Sequence, residues 1–261
     1  MSSRAPALRR LPLGVLPFLV LIVVWDLAVV TGWAPESHIP RPWKVLTTFF
    51  EQLVVPFAGN TLPLDAATSL GRWALGFALG ALIAVPLGLV MAWVRPVDYV
   101  VTPIFEVLRF IPPLAWVPFA ILWFGIGAEA SAFVIVTGVL PPILINTYFG
   151  ARGVPRAFVD AARTLATPAH RMFLEVLMPA ALPVIVGGIR IGAGLGWMSL
   201  IGSELIAVRS GLGYKIVIGM QAFRPEFVIS GMVAIGLIGF IIDVTTRRVE
   251  RRMLARLGQM A

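Results

Sequence analysis

Residues 151–178 read ARGVPRAFVDAARTLATPAHRMFLEVLM, and the fold turns on how this stretch is read. It is the one long polar segment in a chain otherwise dominated by apolar runs. It carries Arg152, Arg156, Arg163, His170 and Arg171 against only Asp160 and Glu175. Several apolar runs precede it and two follow, so it reads as a basic loop between membrane spans, and such loops face the cytoplasm. Within it, Asp160 to Leu165 reads as one short helix. Thr167 reads as the N-cap of a second helix, with Pro168 at its first position. Ala166 falls at the turn between them. If that turn needs a left-handed backbone, alanine there is strained by about 1 kcal/mol relative to glycine. Ala161 and Ala162 are small, so a partner's groove could approach the first helix closely.

Composition sets the class. The chain has 261 residues, of which 59% are hydrophobic and 13% charged; a soluble domain averages about 25% charged. The apolar runs are continuous rather than alternating, so the reading is an all-α polytopic membrane protein and not a barrel. The length suits about six transmembrane helices with short loops. Cysteine is absent and the two histidines, His38 and His170, are far apart. A disulfide framework and thiolate chemistry are excluded, and a metal site is not expected. The net charge of +8 sits beside the spans. It therefore reads as topology and contact with membrane lipid, with no nucleic acid.

Taken in order, one transmembrane domain covers residues 1–261. The first span is 11–34, preceded by Arg4, Arg9 and Arg10; its apolar run is too long for a signal peptide. Trp43, Leu46, Phe49, Phe50 and Leu53 recur at helical spacing, as in an interfacial amphipathic helix or one packed on the rim of the bundle. The second span, 72–94, aligns Gly76, Gly80, Ala84 and Gly88 on one face, which suits close helix packing. The third, 99–127, is broken at Pro112-Pro113. Irregular backbone at membrane depth needs protein or a cavity beside it. Glu106 and Arg109 lie one turn before that break, and an intramembrane acid–base pair is a candidate site. The fourth span is 130–146, followed by the loop 151–178. The fifth, 180–206, has Gly188, Gly192 and Gly196 on one face, and its Arg190 and Glu204 are about 21 Å apart by helix rise. Lys215 to Phe223 reads as a short re-entrant or interfacial helix, and the last span is 227–245. Thirteen of the 21 Lys and Arg fall in segments that this topology places inside, so both termini are expected in the cytoplasm.

No phosphate-binding loop is present, since neither Lys44 nor Lys215 follows a glycine-rich strand-to-helix turn. If ATP drives this protein, another chain binds it. The loop resembles the EAA loop of ABC importer permeases, whose pattern is Glu-Ala-Ala, Gly, Ile and Leu-Pro at fixed gaps. Asp160-Ala161-Ala162, Ala166, Val176 and Met178-Pro179 keep every gap and depart at four of the residues. Arg109 through Trp116, Trp123-Phe124-Gly125-Ile126-Gly127, Gly188-Ile189-Arg190 to Glu204 and Gly211-Leu212-Gly213-Tyr214 are similar to the nitrate/sulfonate/taurine branch. The resemblance implies a type I ABC importer permease fold in a bacterial cytoplasmic (inner) membrane. It implies a homodimer, two copies of an ATPase subunit that bind ATP and Mg, and an extracytoplasmic substrate-binding protein. This chain itself would bind no cofactor and have no catalytic residues. Asp160, Ala161, Ala162, Arg163, Ala166, Thr167 and Pro168 would form the ATPase-coupling surface. Arg109, Glu106, Arg190, Glu204 and Trp116 would be the candidates along the path of a small anion. Two other classes fit the residues less well. A membrane enzyme would need a convergent catalytic set, and only scattered carboxylates are on offer. An ion-coupled secondary transporter or channel is the alternative that the two Pro-Pro pairs keep open.

Overall fold

The computed structural model describes residues 11–256, so Arg4, Arg9 and Arg10 lie outside the described part. The described residues are helical, with no strand and only an isolated bridge between Phe57 and Asn60. The helices are α1 (Leu11–Val30), α2 (Pro42–Glu51), α3 (Leu62–Trp93), α4 (Arg95–Leu108), a 3-10 turn (Pro113–Trp116) and α5 (Val117–Phe124). Then come α6 (Ala128–Arg152), α7 (Arg156–Thr164), α8 (Ala169–Arg171), a π-helical segment (Met172–Leu177), α9 (Met178–Glu204), α10 (Leu212–Gln221) and α11 (Pro225–Arg256).

Among the described residues, four helical runs are long and apolar enough to cross a membrane: α3, α6, Ala169–Glu204 and α11. α4 and the helical run Pro113–Phe124 qualify only as a pair, bent by 92° at the Pro112-Pro113 break. α1 has 20 residues and is apolar along Val15–Val30. About six spans are expected; among the described residues four to five meet the length and composition criteria, with α1 not counted among them. α3 begins ten residues earlier than position 72, because Leu62-Pro63 opens it and Asp65 sits in its first turn.

The described residues form two compact units. In the first, residues 11–63 with Lys215–Ala234, the bidentate pair of Arg41 with Asp26, at 3.0 and 3.1 Å, ties α2 to α1. Gln52 Nε2 donates to Ser230 Oγ at 2.5 Å and the Phe57 and Phe227 rings meet at a tilt of 33°, centroids 3.9 Å apart. The buried Lys215 ammonium donates to the Asn60 carbonyl at 2.9 Å.

In the second unit, Leu64–Tyr214 with residues 235–256, α6 is the central element, and both glycine faces lie against it. A Cβ at Gly76 would sit 2.6 Å from Ile135 Cβ, and one at Gly80 2.8 Å from Val139. From the other side, a Cβ at Gly192 would sit 2.7 Å from Ile143 and one at Gly188 2.5 Å from Asn146. Real contacts of that kind do not occur, so α3 and α9 approach α6 only because these positions lack a side chain.

Candidate translocation cavity and docking loop

The break before Pro113 makes a cavity. Its Pro-Pro pair has no N–H groups for a helix ladder, so α4 stops at Leu108 and the chain restarts at nearly a right angle. The space left at the corner is about 330 Å³, lined by Arg109, Pro112, Pro113, Thr137, Leu195 and Ser199 among others. Arg109 is its only charged lining residue. The guanidinium meets Glu106 Oε2 at 2.6 and 2.9 Å and lies 4.7 Å over the Phe110 ring. Thr137 and Ser199 donate their hydroxyl protons back to Val134 and Leu195 carbonyls, which leaves oxygen lone pairs toward the cavity rather than donors. The charged side-chain donor offered there to an anion is Arg109.

The other path candidates are placed elsewhere. Arg190 is engaged by Glu250 at 3.1 Å and Asp243 at 3.5 Å, and Asp243 also holds Arg247. It staples α9 to α11, with its charge matched by carboxylates that the sequence reading had not linked to it. Glu204 is fully buried and pairs with Arg72 of the neighbouring α3, at 2.9 Å. Ser69 Oγ donates to both carboxylate oxygens and Gly213 N–H donates to one at 3.0 Å. Asp65 Oδ1 takes the Gly211 N–H at 3.1 Å. Asp65, Ser69 and Arg72 recur at helical spacing within an apolar helix, and that spacing was the available signal for this network. Trp116 lies in an aromatic cluster, 5.7 Å from Phe119 and 6.0 Å from Phe133, and does not line the Arg109 cavity.

The loop begins where α6 ends at Arg152. At this base Asp98 accepts from Tyr148, Arg152 and Thr102, which ties α4 to α6. Pro155 opens α7, four residues before the expected start at Asp160. α7 closes in a Schellman motif: Thr167 N–H donates to the Ala162 carbonyl at 3.1 Å and Ala166 N–H to Arg163 at 2.9 Å. The residue in the left-handed position is Ala166, at φ +52°. Ala166→Gly should raise the melting temperature of the purified permease, by an effect of about 1 kcal/mol, with ATPase recovery unchanged. An unchanged or lower melting temperature would show that the strain is relieved elsewhere.

Two expectations need correction here. The N-cap of the second helix is Pro168, not Thr167, with Ala169 its first residue and no side-chain cap bond; the extended backbone forced beside a proline ring moves the boundary by one residue. Ala162 is buried within this chain, at 6% exposure, so its small size serves the permease's own packing. The face left open is formed by Phe158, Asp160, Ala161, Arg163 and Leu165. The π-helical segment that follows has a local cause: Pro179 has no N–H for the Glu175 carbonyl and its ring crowds it, so the preceding turn opens.

Residues 84–255 match the binding-protein-dependent transport system inner membrane component family. The chain is 37% identical over 234 residues to a putative ABC transporter permease protein of Methanocaldococcus jannaschii, covering 88% of this chain and 86% of that protein. It is 30% identical over 259 residues to the taurine transport system permease protein of Escherichia coli, covering 98% and 94%. Its fold is similar to that of a chain in the inward-facing MetNI methionine ABC transporter, with a TM-score of 0.60 at 20% identity over 82% of this chain and 98% of that one. With the family match covering well over half of the chain, and the helical break and loop described above, this multi-pass membrane protein belongs to the binding-protein-dependent transport system inner membrane component family, the permeases of ABC importers.

Proposed function

We propose that this chain forms, as a homodimer, the membrane path of an ATP-driven importer for a small anion of the sulfonate or taurine kind. Relatives named as taurine, aliphatic sulfonate and nitrate permeases support that substrate class. The observation that carries it is the cavity at the broken helix, where one guanidinium is the sole charged lining group. The reading places two ATPase subunits, with their ATP and Mg, on the loop of residues 151–178. A substrate-binding protein docks on the opposite side of a bacterial cytoplasmic membrane, and both termini face the cytoplasm. The chain performs no catalysis of its own.

Two measurements test this. The permease should copurify with an ATPase chain in a 2:2 complex, and the ligand of the accompanying binding protein should be an oxyanion. An ion-coupled carrier would come down alone. Arg109→Gln should lower uptake by roughly tenfold or more, the worth of one lost charge-assisted hydrogen bond, with the ATPase complex still formed. If Arg109 only neutralises Glu106, the variant instead loses folded protein, and Arg109→Gln with Glu106→Gln restores both yield and uptake.

A further inference from the structure

A second cavity, of about 460 Å³, lies at the base of the loop. Its walls are Val90, Trp93 and Val94 at the end of α3, and Ala169, His170, Phe173 and Leu174 at the start of the run into α9. The volume is within the range of ligand sites, about 300–1,000 Å³. Apart from His170 the lining is apolar, and the Trp93 and Phe173 rings meet edge to face at 5.8 Å. Trp93, Val94 and Leu174 remain more than a third exposed, so the cavity opens sideways from the helices. A tryptophan at the end of a span marks the boundary between acyl chains and headgroups.

The rim is cationic. Arg95 follows Val94 and Arg171 follows His170; all three basic residues are exposed, and none has an ion-pair or hydrogen-bond partner among the described residues. The acids nearby are Asp98, already occupied by Thr102, Tyr148 and Arg152, and the exposed Glu175 one turn beyond Arg171. An apolar slot with free cations at its mouth, at the level of the headgroups, selects an amphiphile with a negative head.

We propose that this cavity binds an anionic phospholipid of the cytoplasmic leaflet, an acyl chain against Trp93 and Phe173 and its phosphate met by Arg95, His170 and Arg171. The leaflet rests on the orientation proposed above; the binding does not. The lipid bridges the end of α3 and the root of the docking loop, so it braces the segment that the ATPase would push on.

The test uses the full permease–ATPase complex in nanodiscs of phosphatidylglycerol and phosphatidylcholine in equal parts, with identical chains. Native mass spectrometry after detergent extraction counts the lipids retained. Phosphatidylglycerol should be retained preferentially. Arg95→Gln with Arg171→Gln should lower that preference by roughly fivefold per charge. Trp93→Ala, which alters no charge, should lower retention of both lipids. Arg248→Gln with Arg252→Gln, on α11, should leave the preference unchanged. The proposal is overturned by equal retention of the two lipids, by a preference that survives the Arg95 and Arg171 changes, or by an equal loss in the Arg248 and Arg252 variant. Displacement of phosphatidylglycerol by an equimolar soluble fatty acid, oleate, would overturn the lipid assignment. Orientation is read separately: a single cysteine at position 157 should label only from the inside. Labelling from outside would refute the orientation and leave the lipid counts standing.

Discussion

Glu204→Ala should remove most of the folded permease from the membrane. The carboxylate is fully buried and takes hydrogen bonds from Ser69, Arg72 and Gly213. Truncation leaves the Arg72 guanidinium, nearly buried itself, without its counter-charge, and the Gly213 N–H without an acceptor. Breaking one side of a buried ion pair costs about 3–5 kcal/mol, against total stabilities of about 5–15 kcal/mol. The yield of monodisperse protein on size exclusion and its thermal unfolding measure this directly. Glu204→Gln should fall between: its one carboxamide oxygen, in the Oε2 position, still accepts from Ser69 and Gly213, but the charge and the acceptor for Arg72 are lost. Glu204→Leu with Arg72→Met should recover part of the loss, since removing both charges together strands neither. Normal yield and melting of the alanine variant would mean that the network adds nothing to stability. The packing around it points the other way: a Cβ on Gly211, which has φ +102°, would collide with this same carboxylate, and one on Gly213 would lie 2.6 Å from Glu204 Cβ. The turn is built around the side chain.

The second large effect concerns the loop. Phe158→Ala with Leu165→Ala should cut recovery of the ATPase subunit by roughly tenfold or more, with the permease still folded. Leu165 is 80% exposed and Phe158 56% exposed, on a helix whose buried side is held by Ala162. Large apolar side chains displayed this way are the anchors that carry binding energy at interfaces, about 2 kcal/mol or more each. Ala162→Arg is a poor substitute, because it forces a charge into the permease's own interior. Full ATPase recovery with the Phe158 and Leu165 double variant would mean that this loop is not the docking surface.

Much of this was legible from residue order because it depends on local rules. Two prolines in an apolar run can break a helix, and the chain does turn between Leu108 and Pro113, whereas Pro141-Pro142 stays inside α6. Glycines four apart imply a close neighbour, although not which one. The gap pattern puts Ala166 where the family has glycine, at a turn between two helices, and φ there is +52°. What was not legible depends on partners far away in the chain. Glu204 finds Arg72 across 132 residues, and Arg190 finds Glu250 across 60. Pairing by proximity in sequence could not reach either. The inward orientation of Ala162 followed from where α7 begins, which Pro155 sets and the helix-pattern reading placed four residues late.

The glycine contacts on the two sides of α6 have a mechanical consequence. Ile135, Val139, Ile143 and Asn146 fit into notches cut in the helices beside them, and a slide of one residue would drive each into a neighbouring side chain. α3, α6 and α9 should therefore behave as one plate that tilts without shearing. If the ATPase pushes on this loop, as proposed, the motion is taken up where the backbone is already irregular, at the opened turn before Pro179 and at the corner before Pro113. The first joint lies between the loop of residues 151–178 and the plate, and the second forms a wall of the Arg109 cavity. A push at one end could change the shape of that cavity without any of the three plate helices changing its own.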